Sequence, residues 1–99
     1  MIKQNAPIGV YDSGVGGLSV LRAIHSQLPL ETTLYFADQA KVPYGERPLE
    51  EVRKLAEGVA RMMMEEGAKL IVIACNTASA AALKYLRALY PEFPFVGME

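Results

Sequence analysis

The only thiol in this sequence is Cys75, and Asn76 and Thr77 follow it. It closes an apolar run, Leu70 to Ala74, and precedes an alanine-rich stretch that reads as a helix. A short run of branched residues reads as a strand buried on both faces, as in a parallel sheet. The thiol then lies at the carboxyl end of a strand, against a helix N-terminus. Open α/β sheets bind ligands at that edge. Backbone N–H groups and the helix dipole there favour a thiolate or a bound carboxylate. Such a thiol could be a nucleophile or a proton carrier, and residue type leaves both open.

Two further segments have chemistry to offer. Asp12-Ser13-Gly14-Val15-Gly16-Gly17 follows the apolar run Ile8 to Tyr11. It brings a carboxylate, a hydroxyl and glycines that permit a tight turn with exposed backbone donors. Asp38 follows a second run, Thr33 to Ala37, and opens a loop, Gln39 to Arg47, that contains Pro43-Tyr44-Gly45. That tripeptide is turn chemistry. In a parallel sheet all carboxyl ends share one edge, so the three segments converge. Asp12 and Cys75 are expected to face one crevice. A carboxylate there opposes thiolate formation by like-charge repulsion. Asp12 would instead pass protons or hold a substrate ammonium, and the sequence does not choose between these.

Each residue also has a plainer reading. A lone cysteine is often inert packing. Asp12 and Asp38 could be turn or helix-entry residues, Ser13 a cap, and Tyr44 a surface residue of an ordinary turn. His25 falls late in a helix, away from the strand-end edge, and reads as solvated or paired with the helix dipole. Met62-Met63-Met64 reads as core with a partly exposed flank, Met62 and Met64 being available to an interface.

The elements that must position these groups follow from periodicity. The strand Ile8–Tyr11 gives way at Leu18 to a helical pattern in which Leu18, Leu21, Ile24 and Leu28 share one face until Pro29. Thr33–Ala37 is the second strand. Pro48 suits the first turn of a second helix, and Glu50 and Glu51 suit its dipole. Val52, Leu55, Ala56, Val59 and Met63 mark its buried stripe, and Gly67 stops it. Leu70–Ala74 is the third strand. Thr77 is the expected N-cap of the third helix, with Ala78, Ala81, Ala82, Tyr85 and Leu89 on one face. After Pro91, Phe93–Val96 forms a fourth strand that reaches Met98 and Glu99.

The order β-α-β-α-β-α-β with right-handed crossovers predicts an α/β three-layer sandwich. Its parallel sheet would have strand order 2-1-3-4, with helices on both faces. Residues 1–99 read as a single lobe. No helix follows the fourth strand, so the lobe reads as incomplete and the chain as part of a longer protein.

Composition narrows the class. Apolar residues make up 52% of the 99 residues, which suits strands covered on both faces or a surface meant for another domain. Ten basic and eleven acidic residues give a net charge of −1, unlike the clustered basic footprint of a nucleic-acid binder. One cysteine cannot form an internal disulfide, which fits a reducing cytosol. The N-terminal MIKQNAPIGV lacks the apolar core of a signal peptide. No segment approaches the roughly 18 apolar residues of a membrane span. The chain is expected to be cytoplasmic, with neither nucleic acid nor membrane as partner.

Strand, glycine-rich turn, helix, strand and acidic residue is also the order of a dinucleotide-binding fold, with Asp38 near the ribose position. Three details weigh against it. Ser19 stands where the third fingerprint glycine or alanine belongs, Asp12 would repel a pyrophosphate, and Cys75 is left unexplained.

Asp12-Ser13-Gly14-Val15-Gly16-Gly17, Pro43-Tyr44-Gly45 and Cys75-Asn76-Thr77-Ala78 resemble three signature segments of bacterial glutamate racemase. Their order and spacing are similar to that family's, over essentially the whole chain but only the first part of the family's length. The resemblance implies a cofactor-independent racemase that interconverts L- and D-glutamate and supplies D-glutamate for peptidoglycan. It implies Cys75 as one of two thiols, with Asp12 assisting proton transfer or binding ammonium. Asp12, Ser13, Tyr44, Gly45, Asn76 and Thr77 would be substrate contacts. No cofactor or metal is implied. The second thiol would come from a second lobe, and a homodimer stays open. A related aspartate racemase and a non-catalytic ligand-binding domain are the alternatives.

Overall fold

The computed structural model describes residues 5–14, 16–41 and 44–98. Its centre is a parallel four-stranded sheet of β1 (Ile8–Asp12), β2 (Thr33–Ala37), β3 (Leu70–Ile73) and β4 (Phe95–Gly97), in the expected order β2-β1-β3-β4. Helix α1 (Leu18–Gln27) links β1 to β2, α2 (Leu49–Glu65) lies between β2 and β3, and α3 (Asn76–Leu89) lies between β3 and β4. Tyr11 is paired in register with Phe36 on one side and Ile73 on the other. That register brings the ends of β1, β2 and β3 to one level. Two bonds carry the pairing past the strands: Ala74 N–H donates to Tyr11 C=O at 2.7 Å, and Asp38 N–H to Asp12 C=O at 2.8 Å.

The pleat sends alternate residues to opposite layers. Tyr11, Ile71, Ile73 and Phe95 join Val52, Ala56, Val59, Ala60 and Met63 of α2 and Ala78, Ala81, Ala82, Leu83 and Leu86 of α3 in the main core. Ile8, Val10 and Ala74 form a smaller cluster, with Val20, Leu21 and Ile24 of α1 packed on it. Each fully buried Ile or Leu contributes roughly 1.5–3 kcal/mol.

The two layers are unequal, and this corrects the reading of a third strand buried on both faces. Ile71 and Ile73 are 0% exposed, but Leu70 and Val72 are only half-buried. One ten-residue helix with no fully buried residue covers their side. Its expected stripe is corrected too. Leu18 and Leu28 are exposed at 43% and 49%, and Val20 packs inward with Leu21 and Ile24.

Helix α2 follows its predicted stripe, except that Leu55 is half-buried and Ala60 joins the core. Pro48 is its N-cap residue, one position before the helix. Gly67 ends it at φ +90°, with Gly67 N–H donating to Met64 C=O and Ala68 N–H to Met63 C=O, both at 3.0 Å. This closure needs the left-handed conformation that glycine adopts without cost from a Cβ. In α3, Ser79, Leu83 and Leu86 are buried, and Leu89 is largely exposed, contrary to expectation. The fourth strand is shifted to Phe95–Gly97. The predicted loop Gln39–Arg47 carries two 3₁₀ turns, Gln39–Lys41 and Tyr44–Glu46. Val15 and Pro43 of the motifs, and Glu99 of the fourth segment, lie outside the described residues.

Candidate functional site

Cys75 ends the β3 segment and caps α3. Its backbone is extended (φ −137°, ψ 124°), and its Sγ accepts the N–H of Ala78 at 3.4 Å. The expected cap, Thr77, is instead an exposed residue of the first helical turn. The reason is geometric. The chain turns into the helix one residue earlier, and the thiol then lies where an N-cap side chain meets the third residue's N–H. Cys75 is only partly buried, and Ser13 Oγ lies 3.1 Å from its sulfur.

Asp12, at the end of the neighbouring strand, is 3% exposed. Each of its carboxylate oxygens accepts a backbone bond. Oδ1 takes Ser13 N–H at 2.8 Å, and Oδ2 takes Gly17 N–H at 2.6 Å. The carboxylate thus ties the glycine turn to the start of α1. Gly17 is the N-cap residue of that helix, which has no side-chain cap bond of its own, so Ser13 does not cap it. A Cβ at residue 17 would come within 2.9 Å of Asp12 Cβ, so only glycine lets the turn close over the carboxylate.

Asp12, Ser13, Gly14, Gly16, Cys75, Asn76 and Thr77 line one cavity of about 380 Å³. The crevice expected between the first and third strands therefore exists, and the thiol and the carboxylate both border it. Ser19, Val20, Ala74 and Met98 complete its wall. Met98 has no signal in the sequence for this wall beyond its place at the far end of the fourth strand segment.

Tyr44 and Gly45 lie elsewhere. With Arg47, Leu49, Val52, Ala80 and Ala81 they line a neighbouring cavity of about 450 Å³, and Thr77 borders both. Tyr44 is 2% exposed, so it is not the surface residue of an ordinary turn. Its hydroxyl donates to Asp38 Oδ2 at 2.6 Å and lies 2.6 Å from Tyr11 Oη. Burial, then the bond to Asp38, pushes the Tyr44 phenol well above its ordinary range, and burial does the same to Tyr11. Both phenols stay neutral at physiological pH. Tyr11 had no sequence signal beyond its place at the end of an apolar run.

His25 is exposed, with Nε2 2.9 Å from Thr33 Oγ1, away from both cavities. Met63 is core, and Met62 and Met64 are half-buried against it. Among the described residues, no three His, Cys, Asp or Glu side chains are grouped as a metal site would need. No helix of the described residues is long and apolar enough to cross a membrane.

No protein-family model matches the chain. It is 54% identical over all 99 residues to the glutamate racemase of Pseudomonas paraeruginosa, covering 37% of that protein. The chain therefore spans little more than a third of the length of the curated relatives it matches. Among solved structures, it superposes on glutamate racemase from Thermus thermophilus in complex with β-chloro-D-alanine. The TM-score there is 0.89 at 53% identity, over 94% of this chain and 36% of that one. It also superposes on the Francisella tularensis glutamate racemase in complex with D-glutamate, with a TM-score of 0.88 at 39% identity, over 94% of this chain and 35% of that one. The chain is a homologue of glutamate racemases along its full length, and it shares their α/β fold.

Proposed function

We propose that this homologue of glutamate racemases supplies one half of a cofactor-independent racemase that interconverts L- and D-glutamate. The observation that carries the reading is the placement of Cys75. Its sulfur opens at a strand end into the cavity that Asp12 also borders, with a helix N-terminus behind it and Ser13 Oγ at 3.1 Å.

Inverting a carbon by proton transfer requires removal on one face and delivery on the other. In this proposal the Cys75 thiolate takes the α-proton from one face of glutamate, and the electron pair is left on the α-carbon and its carboxylate. An acid on the opposite face then delivers a proton to that carbon. In the reverse direction the two groups exchange tasks. A single thiol would largely return the proton to the face it left. The 99 residues hold one cysteine, so the opposing group is assigned to a second lobe of the protein, outside this chain.

Asp12 assists at Cys75 or holds the substrate ammonium. Ser13, Asn76 and Thr77 would contact the substrate from the same cavity, and Tyr44 and Gly45 from the adjoining one. D-Glutamate for peptidoglycan, a cytoplasmic setting and association with a second copy of the protein belong to the same proposal.

The test is isotope exchange in the full-length protein in deuterium oxide. L- and D-glutamate should each gain deuterium at the α-carbon as they interconvert, with aspartate a poor substrate. Cys75→Ser should nearly abolish turnover in both directions. Retained turnover in that variant would exclude Cys75 as a proton carrier.

A further inference from the structure

We infer that Asp38 and Tyr11 are positioning residues for the site: through the Tyr44 phenol they hold the turn Tyr44–Glu46 against the first turns of α3. The inference rests on the racemase reading and deepens it, since the turn carries two of the proposed substrate contacts.

The hydrogen bonds run in one direction. Tyr44 donates its hydroxyl proton to Asp38 Oδ2 at 2.6 Å. Its oxygen is then free to accept from Tyr11, whose hydroxyl lies 2.6 Å away. The two rings meet edge to face, with centroids 6.4 Å apart and planes at 61°. Both tyrosine side chains are almost fully buried, so solvent does not compete for the bond between the phenols, while Asp38 is partly buried. The phenols stay protonated far into alkaline pH because burial opposes their charge, which keeps the chain of donors intact.

Both ends of this chain are fixed to the sheet. Asp38 N–H is bonded to Asp12 C=O at 2.8 Å, and Tyr11 C=O accepts Ala74 N–H at 2.7 Å. Asp38 is thus bonded to Asp12 itself, and Tyr11, which precedes Asp12 in sequence, is bonded to Ala74, which precedes Cys75. On its outer side the turn is held by Arg47, whose Nε donates to Lys41 C=O at 2.6 Å and whose guanidinium pairs with Glu51. The Tyr44 phenol is its inward anchor. Tyr44 and Gly45 face Thr77, Ala80 and Ala81 across the adjoining cavity, and Thr77 also borders the cavity that holds Cys75.

Loosening the phenol should therefore move Gly45 relative to Thr77 and leave Cys75 in place, since β3 and the α3 cap hold the sulfur. Substrate binding should suffer more than the proton-transfer step. A purely structural role would instead lower the melting temperature and leave the kinetics of the folded enzyme alone.

The test uses the full-length protein, with concentrations corrected for the folded fraction. Asp38→Ala should raise KM for glutamate about tenfold, with kcat within about threefold of wild type. Asp38→Asn keeps an acceptor oxygen for the phenol and should restore most of the affinity. Tyr11→Phe leaves the Tyr44–Asp38 bond intact and should raise KM by a smaller factor, about threefold. If Asp38→Ala does not fold, the other two variants carry the test. On a Tyr44→Phe background, Tyr11→Phe and Asp38→Ala should change KM no further, because both act through the Tyr44 hydroxyl that this background lacks. Unchanged KM in every folded single variant overturns the proposal. An inactive wild-type protein would instead overturn the racemase reading, so the two failures are separable.

Discussion

Ser13 Oγ and Cys75 Sγ are 3.1 Å apart although 62 residues separate them in the chain. The parallel pairing of β1 with β3, which sets Tyr11 beside Ile73, makes this contact. It joins the glycine turn to the thiol through a hydroxyl that can donate to a thiolate.

Ser13→Ala should therefore slow alkylation of Cys75. Loss of one hydrogen bond to the anionic sulfur corresponds to roughly a three- to tenfold decrease at neutral pH. The second-order rate with iodoacetamide, measured on folded protein, is the readout. An unchanged rate would mean that the hydroxyl does not support the thiolate.

Cys75 also has a structural task that its chemistry conceals. Its sulfur caps α3 at a long 3.4 Å. Serine is a better N-cap than a thiol, so Cys75→Ser should unfold in urea at or above the wild-type midpoint. Cys75→Ala removes the acceptor and should cost about 0.5–1 kcal/mol, the low end for a lost cap. Both variants lack the thiol, so they separate loss of chemistry from loss of stability.

Alkaline titration probes the buried phenols. The folded state holds the Tyr11 and Tyr44 protons more tightly than the unfolded chain does, chiefly because of burial. Groups raised in this way contribute stability that is complete below the unfolded tyrosine value near 10 and is lost as pH rises above it. Ultraviolet difference absorbance should show these two tyrosines ionising only as the protein unfolds. Early titration of all five tyrosines, with the fold intact, would contradict this.

Gly17→Ala should damage the site from outside the cavity wall. The added Cβ would lie 2.9 Å from Asp12 Cβ and 3.1 Å from Oδ2. The neighbour here is a short side chain fixed by two backbone bonds, so it has little room to yield. A loss of about 1–3 kcal/mol in urea unfolding is expected. Gly16→Ala, with nothing within 4 Å of its added Cβ, is the control and should change stability little.

The sequence by itself determined the order of elements, the parallel sheet and its strand order, because apolar runs, glycines and prolines act locally and crossover handedness leaves few topologies. It also determined that Asp12, Ser13, Cys75, Asn76 and Thr77 meet, since parallel strands must end together. Tertiary structure alone decided which atoms do the holding. Cys75 rather than Thr77 caps α3, both Asp12 oxygens are taken by backbone donors, and the Tyr44 phenol turns inward to Asp38 and Tyr11. Leu18, Leu28 and Leu89 left the core for a similar reason. Periodicity names the apolar face of a helix, but the extent of that face that is covered depends on the partner across from it. Contacts between residues distant in the chain depend on register and on how far each layer is covered, and neither is written in any local stretch.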